Sequence, residues 1–460
     1  MYRNVSFLRK MISENRNHLP RKTLDSLYRV AKFQESRLFA NDTVRRYIRR
    51  VLMSTHESVR RHLNDGEVMV EFSEVFEYDQ ELLDQIPQKC TYPYVAVAFD
   101  NKCKVPVVIK LFDRGDLGGY RLSSGVTLDE AIQRRTPADI SAMYSDSLLT
   151  RMIWGRVVDS FPEAKAFYFS PTGYLTSMAL ENMLASGGEV MSQRYRMSRI
   201  FSSAFFDGNH PMDSISDIAL FGGINYGLGI SSQLENASKY AAVDGLRFCQ
   251  RLPKSDSTVY EYLPSTYEEC DYVRSRAEKT LRTYLHTGDD AVEECLKNYS
   301  GHSPSILHVA THGYFNPSDS SSTLLNMSGL VFAGANNRLS EKGLPDGIDD
   351  GILTALEISE LDLSQTRLAV LSACETGLGV VKSDGLFGLQ RGFKLAGVHS
   401  IVMSLWNVAD DATSLFMRRF YSYLLQGHSP REALEHARDY LRRGNRFSHP
   451  YYWAGFVLVE

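Results

Sequence analysis

Residues 368–377, LAVLSACETG, put a cysteine at the end of an apolar run and follow it with a turn that contains glycine. Leu368, Val370 and Leu371 read as a buried strand, and Cys374 stands where that strand gives way. A cysteine in such surroundings is by default a small hydrophobe that fills a core. Its place at a strand end argues for more, because chemistry in open α/β sheets collects at the carboxyl ends of strands. A thiol attacks only as the thiolate, so it needs a base within reach. Residues 305–313, SILHVATHG, supply one. His308 falls inside that strand and reads as a core histidine. His312 follows the strand, precedes Gly313, and holds the position that Cys374 holds on its own strand. Adjacent parallel strands lie about 4.8 Å apart, so the two residues can share one crevice. The pair fits a dyad in which imidazole takes the thiol proton and later returns it to a leaving amine. The amides of Gly313 and Cys374 are candidates for an oxyanion hole.

The rest of the chain has an ordinary globular composition, with 43% hydrophobic and 23% charged residues among 460. That length predicts two to four compact units. No run approaches the ~20 apolar residues of a membrane span, and the first twenty residues lack the apolar block of a secretory signal. The expected location is the cytoplasm. Six cysteines, at 90, 103, 249, 270, 295 and 374, fall at irregular spacings without a CxxC pair. This argues against a zinc cage and against a disulfide framework. No cofactor or metal is expected.

The net charge of −4 conceals an asymmetry. Residues 1–65 carry 15 Lys plus Arg against 6 Asp plus Glu, or +9, which leaves −13 for residues 66–460. Arginine pairs interrupt apolar positions at helical spacing in VRRYIRRVLMSTHESVRR. A solvated face, or one docked on the acidic remainder, explains such a helix better than nucleic acid, because the interleaved aromatics of a single-strand groove are missing.

Apolar spacing predicts helices over residues 20–63. From Gly66 the texture becomes α/β, with strands in EVMVEF, YVAVAF, VPVVIKLF and AKAFYFS and helical stretches around 127–160 and 174–185. The second half repeats the rhythm with IALFGGINY, SILHVATHG, LAVLSACETG, SIVMSLW and WAGFVLVE. STYEECDYVRSRAEKTLRTYL reads as one helix, with Ser265 and Glu268 as a capping box. Residues 228–258 and 318–350 read as long loops at the rim of the cleft. Alternation of strand and helix implies a mostly parallel sheet covered on both faces, a three-layer α/β sandwich.

Taken in order, GEVMVEF, SPTGYLTSMALENM, LFGGINYG, LPSTYEE, HVATHGYF, SGLVFAGAN, DGILTALEI, LSACETG, GLFGLQRGF, SLWNVADDATSLFMRRFYSYLLQGHSPREALEHA and HPYYWAGFVLV resemble the CHAT domain, the caspase-like domain associated with tetratricopeptide repeats and related to separases. The caspase signature sets its histidine about 50 residues upstream of the cysteine; here 374 − 312 gives 62, a match of logic and not of letters. The resemblance implies a cysteine endopeptidase with His312 as base and Cys374 as nucleophile. It also implies a pseudo-caspase half over residues 66–215 beside a catalytic half over 216–460. The helical segment over 1–65 resembles the remnant of a repeat array, a place for an activating protein partner to dock. Such enzymes stay silent until a partner or a cleavage triggers them, as in the defence and cell-death systems of the family.

For the specificity pocket, an acidic floor would favour a basic side chain before the cleaved bond. Asp350, Glu375 and Asp384 are candidates, each readable equally as a loop or capping charge. Trp406 is readable as a cleft wall or as core. The rival functions are a silent caspase-like scaffold, a thiol acyltransferase, and a nucleic-acid regulator. Retention of Cys374, His312 and Gly313 weighs for the peptidase.

Overall fold

The computed structural model describes residues 53–75, 93–185, 187–206, 208, 215–240, 258–315, 325, 328–339, 344–345, 348–374, 387–444 and 446–460. The expected repeat remnant therefore lies largely outside the described residues. Its last turn, His56–Arg60, is a helix capped by Thr55.

In the first half the strands are β1 (Glu67–Glu74), β2 (Pro93–Asp100), β3 (Val107–Asp113), β4 (Ala166–Ser170) and β5 (Arg196–Arg199). They lie in the order β5-β4-β1-β2-β3, with β1, β4 and β5 parallel and β2 and β3 added as antiparallel hairpins. Trp154 anchors one face, its ring 5.4 Å from Phe72, 5.6 Å from Phe167 and 5.4 Å from Phe169. The stretch expected to be helical around 127–160 forms separate short helices, and 174–185 forms two 3-10 turns.

The second half holds β6 (Asp217–Ile224), β7 (Arg282–Gly288), β8 (Ile306–Phe315), β9 (Ser328–Val331), β10 (Ile352–Thr354), β11 (Leu368–Cys374), β12 (Ser400–Ser404) and β13 (Phe456–Val459). The order β7-β6-β8-β11-β12 is parallel throughout. Strand β13 runs antiparallel to β12 and also meets β5 through Val459↔Arg199, which makes one continuous sheet of the two halves. Strands β9 and β10 branch off antiparallel from the end of β8.

The helices of this half include α1 (Ile230–Ser238), α2 (Pro264–Ala277), α3 (Glu293–Lys297), α4 (Ala355–Glu360), α5 (Phe387–Leu395), α6 (Asp410–Leu424) and α7 (Pro430–Arg443). Helix α7 shows why such segments fold locally. Ser429 and Glu432 form a capping box, Pro430 takes the first turn, and Ala433, Leu434, Ala437 and Leu441 recur on one buried face. Helices line both faces of the sheet. Gly222 of β6 abuts α2, where a Cβ would come within 2.5 Å of Thr266 O. Its neighbour Phe221 points the other way, onto Phe332 and Tyr299. This is the three-layer α/β sandwich with a mostly parallel sheet that the sequence predicts.

Several local expectations change. The single helix over 265–285 ends at Ala277, and RTYLHTG becomes the edge strand β7. Ser265 does not cap it: Leu263 is at the N-cap without a side-chain bond and Pro264 begins the helix. The loop expected over 318–350 contains β9, and that over 228–258 contains α1.

Candidate active site

The parallel register of β8 and β11 runs from Leu368↔Ile306 to Cys374↔His312, so the two residues stand opposite each other at the carboxyl end of the sheet. Strand β11 ends at Cys374, as expected; of this residue the structure describes the backbone. His312, by contrast, lies within β8. The strand continues to Phe315 because residues 313–315 pair antiparallel with β9, setting Gly313 opposite Leu330.

His312 is half-buried, its ring centroid 4.9 Å from that of Tyr226 and 5.3 Å from that of Tyr260. Its Nε2 lies 2.8 Å from the carbonyl oxygen of Glu261, in the segment that leads into α2. A carbonyl only accepts, so Nε2 carries the hydrogen, and the neutral ring keeps its lone pair on Nδ1. A backbone oxygen thus fixes the tautomer in which Nδ1 is free of hydrogen.

His308 occupies the core. It is fully buried, with Nδ1 2.9 Å from Tyr421 Oη of α6 and Nε2 3.0 Å from Glu269 Oε1 of α2, the latter off the line of a good hydrogen bond. Trp406 is also core: it is 2% exposed, its ring lies tilted against Tyr144 with centroids 5.6 Å apart, and it donates from Nε1 to Tyr451 O. The reading of Trp406 as a cleft wall is corrected by this burial. Asp350 is 4% exposed and accepts from Ile352 N at 3.0 Å, ahead of β10. It does not cap the following helix, since Thr354 and Glu357 form that capping box. Its carboxylate belongs to a buried turn and not to an open pocket floor. Glu375 and Asp384 lie outside the described residues.

A cavity of about 30 Å³ opens under the carboxyl ends of β8, β11 and β12, lined by apolar side chains such as Leu263, Val408 and Phe456 and by Thr311, Glu269 and Asp410 among polar ones; Ser372 and Ser404 also line it. Thr311 precedes His312 and Ser372 is two residues before Cys374. Glu269 and Asp410 went unnoticed in the sequence because they come from two helices more than a hundred residues apart. The acidic pair at the start of α6, Asp410 and Asp411, was the available signal.

A thiol–imidazole contact lies at the edge of the sheet, Cys295 Sγ being 3.2 Å from His286 Nδ1. This thiol is 1% exposed, and burial pushes its pKa up to about 12, which makes it a poor nucleophile. On the same helix, Lys297 Nζ meets Glu293 Oε1 at 2.6 Å, Asp349 Oδ2 at 2.9 Å and Glu357 Oε1 at 3.1 Å. Glu293 and Glu294 also accept from Gly351 N and Asp349 N. This knot clamps the turn before β10, which pairs with β9 and so flanks Gly313. No helix among the described residues is long and apolar enough to cross a membrane.

Residues 146–460 match the family model described as CHAT domain. The tetratricopeptide repeat protein 28 of Mus musculus is 39% identical over 108 residues, and that of Homo sapiens 37%; the match takes in 24% of this chain and 4% of either relative's length. Among solved structures, the Arg-specific cysteine proteinase gingipain R aligns over 72% of this chain and 69% of its own, at 6% identity and TM-score 0.38. The Saccharomyces cerevisiae separase–securin complex aligns over 98% of this chain and 32% of its own, at 8% identity and TM-score 0.44. With more than half of its residues accounted for by the family model, the chain belongs to the CHAT domain family.

Proposed function

We propose that this protein is a cysteine endopeptidase in which Cys374 attacks a peptide carbonyl and His312 serves as base and then acid. The observation that carries the reading is the register Cys374↔His312 at the carboxyl ends of two parallel strands. The Nε2 contact to Glu261 O supports it by leaving Nδ1 as the site of proton transfer. Nδ1 takes the Sγ proton as the sulfur–carbon bond forms, and the oxyanion rests on the N–H groups of Gly313 and Cys374. The carbon–nitrogen bond then breaks, Nδ1–H protonates the amine, and water hydrolyses the thioester with His312 again as base.

In this reading residues 216–460 form the catalytic half and 66–215 the pseudo-caspase half. Glu269 and Asp410 give the cavity beside the dyad an acidic character, which favours lysine or arginine before the cleaved bond. Activity stays low until a protein partner, docking on the N-terminal segment, or a cleavage releases it.

Cleavage of a diverse peptide library by the wild type and by Cys374→Ala, with products identified by mass spectrometry, tests the proposal. Cleavage after basic residues that disappears in the variant is the expected result. Where neither protein cleaves, a thiol-reactive peptide probe decides. Labelling of Cys374 but not Cys295 supports a silent enzyme, and an inert Cys374 refutes the catalytic reading.

A further inference from the structure

The edge of the sheet away from the dyad gathers three different ligand types at one point. His286 near the end of β7, Asp290 in the following turn and Cys295 on α3 present Nδ1, Oδ2 and Sγ, all within 4.8 Å of one another. Nδ1 stands 3.1 Å from Oδ2 and 3.2 Å from Sγ. Zinc bound tetrahedrally, at about 2.0 Å from nitrogen and oxygen and about 2.3 Å from sulfur, would set these edges near 3.3 and 3.5 Å. These two edges need to open by only about 0.2–0.3 Å, and the third, Oδ2 to Sγ, lies within 4.8 Å.

The surroundings are those a metal's ligands require. Nε2 of His286 lies 2.8 Å from Tyr299 Oη, a hydroxyl that can accept the ring hydrogen once it moves to Nε2 and frees Nδ1 for coordination. Tyr240 Oη donates to Asp290 Oδ1 at 2.9 Å, which leaves Oδ2 turned toward the cluster. Phe221 stacks on the imidazole at 4.7 Å and closes the inner side. Asp290, with its side chain 39% exposed, gives access from solvent, while His286 is 14% exposed.

We propose that His286, Asp290 and Cys295 form a zinc site with a fourth position open to water, clasping the edge strand β7 to α3. A thiolate and a carboxylate neutralise the ion's two charges, so a neutral unit takes the place of a buried thiol beside a half-buried imidazole and carboxylate. Hard cations such as calcium or magnesium, which take all-oxygen sets, do not suit it. Among the described residues, the cation paired with the carboxylate is the exposed Lys239, whose Nζ is 3.9 Å from Oδ1. Binding releases the Sγ proton to solvent and moves the ring proton to Nε2. The expectation that no zinc cage exists rested on the lack of paired cysteines, and a mixed site drawn from three elements escapes that test. The proposal is independent of the peptidase reading.

The full-length Cys374→Ala protein, stripped of metal by chelation and titrated with Co²⁺, removes the dyad from consideration. One equivalent of Co²⁺ with a thiolate-to-cobalt charge-transfer absorption is expected, and zinc should displace it. In this background Cys295→Ser should abolish the absorption. Asp290→Asn, on a partly exposed side chain that leaves the core intact, should weaken Co²⁺ binding at least about tenfold with an unchanged circular dichroism spectrum. Absence of the absorption in Cys374→Ala, its survival in a folded Cys295→Ser protein, or an unchanged affinity in Asp290→Asn would each overturn the proposal.

Discussion

Replacing Lys297 by Met keeps most of the aliphatic stem and removes the ammonium that three carboxylates share. Glu293 is 1% exposed, Glu357 4% and Asp349 13%, so none can turn to water without opening the turn before β10. Each glutamate keeps one satisfied oxygen: Glu293 Oε2 accepts from Gly351 N, and Glu357 Oε2 accepts from Thr354 N and Oγ1. The oxygen that faces Lys297 loses its partner. Breaking a buried pair costs about 3–5 kcal/mol, and the retained bonds place this case near 3 kcal/mol at pH 8. Burial opposes the charge on Lys297, yet Glu293, Glu357 and Asp349 together outweigh it and raise its pKa. Burial likewise raises Glu293 and Glu357, while Lys297 pulls them back down. Without the ammonium both rise further. The folded variant then binds more protons than the unfolded chain from about pH 4.5 upward, and its stability falls as pH rises through the folded values. The deficit relative to wild type should therefore be larger at pH 8 than at pH 5. Urea unfolding of both proteins at the two pH values, followed by tryptophan fluorescence with slopes compared, measures it. A deficit under about 1 kcal/mol at pH 8, or one that grows as the pH is lowered, would refute the account of the knot.

Three further outcomes are expected. Tyr421→Phe removes the hydroxyl 2.9 Å from His308 Nδ1 and leaves a buried nitrogen unsatisfied, which should cost about 1–3 kcal/mol in unfolding without altering the labelling of Cys374. Gly392→Ala would put a Cβ 2.5 Å from Ala355 O where α5 crosses α4; the forced separation should cost about 1–3 kcal/mol and lower the melting temperature. Asp410→Asn should reduce kcat/KM for substrates with lysine or arginine before the cleaved bond by roughly fivefold to tenfold, the weight of about 1 kcal/mol for a partly solvated charge pair. Equal losses on apolar substrates would remove Asp410 from the pocket.

The central strands were legible because burial on both faces writes them as apolar runs: SILHVA, LAVLS and SIVMS become β8, β11 and β12. Helix α7 was legible through its caps and spacing. The edge strand β7 was not. Its residues are mostly half-buried, so RTYLHTG carries threonine, tyrosine and histidine, and it reads as the tail of the helix before it. Strands β9 and β10 escaped because four and three residues are too few to show a period. The position of Cys374 followed from its strand end, while His312, expected beyond its strand, falls within β8 because pairing with β9 carries that strand on to Phe315; the oxygen bonded to His312 belongs to a backbone carbonyl 51 residues away in sequence, which no residue type announces. The cavity is hidden for the same reason. Glu269 sits among the charged residues of α2, and nothing in YEECDYVRSR separates the one buried glutamate from its solvated neighbours.

The join between β13 and β5 also has a cost in time. Val459 pairs with Arg199, 459 − 199 = 260 residues earlier, and Glu460 N donates to Arg199 O at 2.9 Å. At about 5–20 residues per second, a ribosome takes roughly 13 to 50 seconds to deliver that partner after β5 is made. Throughout this interval the first half presents β5 as a bare sheet edge, ready to pair with the same strand of a neighbouring nascent chain. Chaperone demand during synthesis, and aggregation of chains broken off before β13, are built into this order of assembly.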